Sequence, residues 1–274
     1  GWTPPTPFTV KARDGKTDLY GLMYRPSNFD STKSYPIINQ IYPGPQTGSV
    51  GTRSFVPSRS DTRAIAELGF IVVQIDAMGT PMRSKSFHAA YYGDMGDNGL
   101  PDQIAGMRQL AERHRWIDLE RAGIYGHSGG GYAAAGAVLR YPDFFKVAVS
   151  QAGNHDNRLY EDDWGERFQG LLRRNIDGGG DSYDSQANQL VAPNLRGRLV
   201  VAHRPRTAPV RREQVPQREH RGGGAGDRRA AASLAAGPLG EGAHGVRPGL
   251  DRHEVGPGVA QRLQAPALAV APDL

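Results

Sequence analysis

The residues most capable of chemistry lie in the stretch Ala122-Gly123-Ile124-Tyr125-Gly126-His127-Ser128-Gly129-Gly130-Gly131-Tyr132. At its centre is a Gly-x-Ser-x-Gly pattern, Gly126-His127-Ser128-Gly129-Gly130. An apolar run precedes it and an Ala-rich run, Ala133 to Arg140, follows, so the stretch reads as strand, sharp turn, helix. A serine on such a turn projects its hydroxyl from the sheet edge at a helix N-terminus. The amide of Gly129 and the positive helix end then face any oxyanion that develops there. Flanking glycines are needed where neighbouring backbone passes too close for a Cβ. Two other readings use the same residues: a glycine-rich turn that only packs a helix on a strand, and a phosphate-cradling loop. The second lacks the Gly-Lys-Ser/Thr that such loops carry.

A serine hydroxyl is too weak an acid to ionise at neutral pH. It needs a histidine base and an acid to orient that base. His127 adjoins Ser128, but consecutive residues at such a turn diverge, so its expected part is packing or shaping a pocket. The chain has no cysteine, which excludes disulfides and thiol catalysis and leaves the compartment open. His88 and His114 stand alone in the sequence, and no cluster of metal-ligand spacing accompanies them; no cofactor is expected.

The elements that must position these residues follow from the pattern. Phe8–Ala12 and Leu19–Arg25 read as strands of a hairpin around the turn Arg13-Asp14-Gly15-Lys16. Tyr35–Tyr42 and Phe70–Asp76 read as buried strands, the first stopped by Pro43-Gly44-Pro45. Ser60–Leu68 and Asp102–His114 read as helices, the second with Pro101 at its start. Between them, residues 79–99 read as a long loop rich in Gly, Ser and Tyr, a size that usually carries function. Ala122–Gly126 is the strand before the serine, and Lys146–Ser150 and Arg198–His203 are further strands. Gly165–Arg174 is expected to be helical. Strands alternating with helices imply a mostly parallel sheet covered on both faces, with ligands at the carboxyl ends of its strands. Tyr42, Asp76, Ser128 and Ser150 all fall at strand ends and are expected to face one crevice.

The net charge of +5 is misleading about partners. Residues 204–274 hold eleven Arg, no Lys, three Asp and four Glu, and so carry +4 of it, with no aromatic residue interleaved. That is not the composition of a nucleic-acid surface. No apolar run is long enough to span a bilayer. After His203 the chain has no Phe, Tyr, Trp, Ile, Met, Lys or Asn and is dominated by Arg, Ala, Gly, Pro and Leu. Such a segment buries too little apolar surface to offset its ordering entropy. Out-of-frame GC-rich codons translate to this composition, so a frameshift after codon 203 is expected, with a natural disordered tail as the alternative. The expected division is therefore a C-terminally incomplete domain over residues 1–203 and a low-complexity tail, disordered or misfolded, over 204–274. The N-terminus shows neither an initiator Met nor a signal peptide, as in a piece of a longer chain.

Over residues 1–203 the sequence resembles the catalytic domain of the prolyl oligopeptidase family of serine peptidases, in its dipeptidyl peptidase IV-like branch. Tyr42-Pro43-Gly44-Pro45 after Tyr35-Pro36 is similar to the strand whose tyrosine belongs to the oxyanion hole. Asp76-Ala77-Met78-Gly79 resembles an Asp-x-Arg-Gly segment, with Met78 in place of Arg. Asp102-Gln103 resembles the acid–Gln pair opening the next helix. Residues 126–132 match the elbow, and Ala152–Asp156 with Tyr160–Gly170 the segment walling the pocket. The resemblance implies an α/β-hydrolase fold and a serine peptidase acting on peptide substrates after Pro or Ala. It implies Ser128 as nucleophile, Tyr42 and Gly129 as oxyanion donors, and Tyr160 and Trp164 as substrate-binding residues. If helical, Tyr160 and Trp164 share one face and could form a flat aromatic slot, or they are ordinary core aromatics.

The family's acid should follow shortly after His203, in a His-Gly-x-x-Asp pattern. Here Arg204 replaces the Gly, and Ala208, Pro209 and Val210 stand where the acid belongs. Its histidine should come some thirty residues later, and His244-Gly245 is the only His-Gly in the tail. His155 is set aside as base because the family places its histidine after the last strands. The family's N-terminal β-propeller has no counterpart in these residues. The expectation is a peptidase domain that is catalytically deficient as written. A non-catalytic remnant or an esterase on the same fold are the alternatives, and there is room for a homodimer in the longer parent.

Overall fold

Each β-branched run in the chain becomes a strand of one seven-stranded sheet. The computed structural model describes residues 4–50, 61–174 and 179–203. Strands β1 (Thr6–Lys11) and β2 (Asp18–Tyr24) form the expected antiparallel hairpin. β3 (Tyr35–Gln40), β4 (Ile71–Asp76), β5 (Ile117–His127), β6 (Val147–Gln151) and β7 (Arg198–Ala202) are mutually parallel. The order across the sheet is β1-β2-β4-β3-β5-β6-β7, with β2 antiparallel to β4. This is the mostly parallel, helix-flanked sheet that the sequence implied. Connections leave β3 in one direction and return past it in the other. This reversal of order opens a crevice at the carboxyl ends of β3 and β5.

The helices divide between the two faces. α3 (Leu100–Arg113) and α4 (Gly129–Arg140) bury the larger core with Leu19, Ile37, Ile71, Val73, Ile75, Ile124 and Phe145. α1 (Thr62–Glu67) covers the opposite face through Ala66 against Tyr24, Val72 and Tyr125. The period-2 alternation of side chains along β4 accounts for this split, with Val72 on one face and its neighbours Ile71 and Val73 on the other. α4 is buried along its whole length from Gly130 to Leu139, which its run of Gly and Ala permits. A Cβ on Gly131 would lie 2.4 Å from the Gln151 carbonyl, so helix and β6 are in direct backbone contact.

The Asp102-Gln103 pair ties this frame together. Gln103 accepts from Asn39 Nδ2 (2.7 Å) and donates to the Ile75 carbonyl (2.9 Å), joining α3 to β3 and β4. Asp102, fully buried, accepts from the Met78 amide (3.1 Å) and from Arg13 through its amide (2.9 Å) and Nε (2.8 Å). Arg13 also pairs with Asp97. A cation from the β1–β2 turn thus faces the buried Asp102 carboxylate.

Most strand and helix ends fall within a residue or two of expectation, and larger differences occur in four places. β5 starts at Ile117 rather than Ala122, because charged Asp118, Glu120 and Arg121 sit on its exposed entry and mask the strand pattern. The 79–99 segment contains a helical turn, α2 (Lys85–His88), capped by the Ser84 hydroxyl on the Phe87 amide. The helix expected over 165–174 is α5 (Asp162–Gln169), ended by Gly170 at φ 87°. α6 (Asn188–Val191) is too short to leave a periodic signal. Among the described residues no helix is long and apolar enough to cross a membrane.

Candidate active site

The turn between β5 and α4 is built by close backbone approach. Ser128 has φ 57° and ψ −119°, a region in which a non-glycine residue costs about 1–3 kcal/mol and is held only by its surroundings. Those surroundings are explicit. The Ser128 amide donates to Gln151 O (2.8 Å), and its carbonyl accepts from the Tyr132 amide (3.0 Å). A Cβ on Gly126 would lie 2.4 Å from the Ile41 carbonyl, and one on Gly130 would lie 2.1 Å from it. Both glycines therefore clasp one peptide unit of the chain leaving β3. Ile41 in turn donates its amide to Tyr125 O (2.9 Å).

That clasp fixes where Tyr42 comes. A Cβ built on Gly129 would meet the Tyr42 hydroxyl at 3.8 Å and its ring Cζ at 3.7 Å, with nothing nearer. Tyr42 and the first residue of α4 thus flank Ser128 together, and the sequence-expected trio is brought to one place. Gln46 Nε2 donates to the Tyr42 hydroxyl oxygen (2.9 Å), which leaves the phenolic hydrogen free to be donated elsewhere. Ser128, Gly129 and Tyr42 are all partly exposed, as a site open to a ligand requires.

Tyr160 and Trp164 meet, but not as a flat slot on one helix face. Tyr160 precedes α5 in extended backbone and does not share a helix face with Trp164. The rings still meet, edge to face, with centroids 5.7 Å apart, and Trp164 continues to Phe168 at 5.2 Å. Partial burial, then the negative charge of Glu161 and the neighbouring Tyr42, push the Tyr160 phenol above its ordinary range. Tyr160 therefore belongs to the same neighbourhood as Tyr42.

An ionic clamp that sequence reasoning missed holds this wall. Asp156 caps the 3-10 turn Asn157–Leu159 by accepting from the Arg158 amide (3.0 Å). Arg158 reaches Asp156 (2.9 Å), Asp181 (2.6 Å) and Asp184, and Gln186 and Gln189 also donate to Asp156. Burial works against the Asp156 charge, but these hydrogen bonds outweigh it and hold the carboxyl below its usual range.

The other residues expected at strand ends do not line the crevice together. Asp76 accepts from the Ser49 (2.6 Å) and Val50 (3.0 Å) amides, and so fixes the loop after Tyr42. Ser150 is fully buried and faces His155 Nε2 at 3.4 Å, while His155 Nδ1 faces Asn188 at 3.1 Å. Burial, reinforced by His203, pushes the His155 imidazole below its ordinary range. His127 is exposed at the end of β5. Among the described residues no histidine is hydrogen-bonded to Ser128. His244 and the rest of 204–274 lie outside the described residues, and so does the expected tail.

Comparison with known proteins fits this geometry. The sequence pattern of the prolyl oligopeptidase family matches residues 57–201. Dipeptidyl peptidase 8 of Homo sapiens is 36% identical over 177 residues, which cover 65% of this chain and 20% of that protein. Dipeptidyl peptidase 4 of Trichophyton equinum is 27% identical over 197 residues, covering 72% of this chain and 25% of that one. Among solved structures, Porphyromonas gingivalis dipeptidyl peptidase 4 superposes with a TM-score of 0.66 at 27% identity, over 74% of this chain and 28% of that chain. The chain spans between a fifth and a quarter of the length of these curated relatives.

Proposed function

Since this chain belongs to the prolyl oligopeptidase family, we propose that it carries the nucleophile and oxyanion hole of a serine peptidase that cleaves peptides after Pro or Ala. The observation that carries the reading is the juxtaposition of strained Ser128, the Gly129 amide and the Tyr42 hydroxyl. Ser128 Oγ attacks the scissile carbonyl carbon as a histidine accepts its proton. The carbonyl oxygen becomes the oxyanion and is held between Gly129 N–H and Tyr42 O–H. The tetrahedral species collapses with expulsion of the amine, which takes the proton back from the histidine. Water then hydrolyses the acyl ester on Ser128 by the same steps. Tyr160 and Trp164 receive the small apolar ring or methyl preceding the cleaved bond.

The domain occupies residues 1–203, and 204–274 is its out-of-frame continuation. As written, the chain therefore lacks a dependable base. His244 is the candidate the sequence offers, as the only His-Gly in the tail, and Ala208, Pro209 and Val210 stand where the orienting acid belongs. With the base and its orienting acid both lost, about the 10³–10⁴-fold contribution of binding and oxyanion hole over water remains. The test assays residues 1–274 on Gly-Pro and Ala-Pro chromogenic peptides and on matching esters, beside a version with the frame restored after codon 203. Peptide turnover that appears on restoration supports the proposal. Comparable kcat/KM in both versions contradicts the deficiency and makes His244 the next residue to replace. Turnover of esters alone assigns an acyl hydrolase instead.

A further inference from the structure

The turn that carries Tyr42 cannot hold itself. Pro43-Gly44-Pro45 contains two residues without an amide hydrogen, so the segment has little means of making internal hydrogen bonds. All three residues are buried, and their carbonyls need donors from elsewhere. Two side chains of the 79–99 segment supply them. The Tyr91 hydroxyl donates to the Pro43 carbonyl (2.8 Å) and shares its hydrogen with the Gly44 carbonyl. His88 Nε2 lies 2.6 Å from the Pro45 carbonyl. A carbonyl only accepts, so Nε2 carries the hydrogen there. Three successive carbonyls are thus taken by two side chains close together in sequence, one at the end of α2 and one just after it.

Both donors are themselves held. Tyr91 is 5% exposed, and its ring occupies the space that a Cβ on Gly79 would need, 1.8 Å from Cε1. Gly79 sits at φ 103° and donates its amide to Phe87 O (2.8 Å), and the buried Phe87 anchors α2 in the main core. Burial pushes the Tyr91 phenol well above its ordinary range, so it remains a donor at every working pH. On the far side of the turn, Gly44 at φ 53° makes the bend, and a Cβ there would lie 1.8 Å from Thr47 O. Ser49 Oγ accepts from the Tyr42 amide (3.0 Å) and donates to its carbonyl (3.1 Å).

We propose that Tyr91 and His88 are positioning residues for the Tyr42 hydroxyl: they pin the Pro43–Pro45 turn from the 79–99 segment and so set the donor's place beside Gly129. The inference rests on the proposed role of Tyr42 only for its catalytic meaning; the clamp itself is a structural claim. It explains why a long segment between β4 and α3 returns to the site without contributing a group to the chemistry. It also places no demand on the C-terminal residues.

The test uses the 274-residue chain with 3-fluorotyrosine at position 42 alone, read by ¹⁹F NMR without any need for turnover. In the otherwise unaltered chain Tyr42 is expected to give one narrow resonance. Tyr91→Phe keeps the ring that fills the Gly79 space and removes only the donor; His88→Ala removes the other. Each is expected to split the Tyr42 resonance or widen it about twofold or more, as μs–ms exchange sets in. A second probe at Tyr24, which bonds Gln74 on the far side of the sheet, reports general loosening. It should be unchanged in both variants. A Tyr42 resonance unaltered by both variants overturns the proposal, and so does equal broadening at Tyr24 and Tyr42. The role of Tyr42 itself fails separately, if Tyr42→Phe leaves kcat unchanged in the frame-restored protein.

Discussion

The two proposed oxyanion donors flanking Ser128 are made in opposite ways. On the α4 side the donor is a backbone amide, and its place is set by atoms that leave no room: Gly126 and Gly130 clasp the Ile41 carbonyl within 2.4 and 2.1 Å of where a Cβ would stand. On the β3 side the donor is a side-chain hydroxyl at the head of a proline-rich turn, and its place is set by hydrogen bonds from Gln46, Tyr91 and His88. The first arrangement tolerates no added atom at Gly126 or Gly130, and the second tolerates no lost polar group. Ile41 links the two, since it precedes Tyr42 and lies in the grip of the elbow.

This contrast orders the expected effects of substitution. The largest is at the elbow. Gly130→Ala puts a Cβ onto backbone that cannot yield, and should cost about 3 kcal/mol or more, the upper end of overpacking. Gly129→Ala meets nothing closer than the Tyr42 ring at 3.7 Å and should fold almost unchanged. Urea unfolding of the two variants checks this, and equal stabilities would break the account of the elbow as a steric device. The next effect is at the hydroxyl. In the frame-restored protein, Tyr42→Phe should lower kcat by about 10²–10³ with little change in KM or stability, the usual result of deleting one oxyanion donor. A change confined to KM would mean that Tyr42 holds substrate and does not act on the transition state.

The smallest effect concerns the wall that carries Tyr160. Asp156 and Asp181 have carboxyls held below their ordinary range, Asp156 despite burial and Asp181 chiefly by the Arg158 hydrogen bond. A depressed carboxylate lends stability above its unfolded value, about 4, and loses it as pH falls through the folded value. Arg158→Met should therefore lower Tm measurably at pH 7, with the gap to the parent closing as pH falls below the ordinary carboxylate value of about 4. The Asp181 side chain is partly exposed, so solvent screening keeps the effect modest. A gap that stays constant over that whole descent would show that Arg158 acts through packing and not through its charge.

The same contrast explains what the sequence could reveal. The strands β3, β4, β6 and β7 and the elbow are written in local pattern: β-branched runs, prolines that stop them, and glycines spaced around a serine. The elbow in particular is backbone geometry, and backbone geometry has a residue-type signature. Tyr42, Tyr160 and Trp164 were singled out through the family resemblance and not through local pattern, and the structure brings Tyr42 beside Gly129 and Tyr160 against Trp164. Their shared helix face was not there, because Glu161, not an earlier residue, begins the turn into α5. His88, Tyr91, Gln46 and Arg158 gave no local signal. Each acts through hydrogen bonds that impose neither periodicity nor spacing on the sequence, and those of His88, Tyr91 and Arg158 reach residues distant along the chain. Arg13 is the clearest case. It reaches the buried Asp102 carboxylate from a hairpin turn that read only as a turn, far away along the chain.

The most direct test of the central claim is to identify the reactive serine. A fluorophosphonate probe incubated with the frame-restored protein, followed by digestion and mass spectrometry, should place one label per chain on the peptide carrying Ser128. Ser128→Ala should remove both the label and peptide turnover while leaving the unfolding transition in place. Label on a different residue, or turnover that survives in Ser128→Ala, would contradict the account.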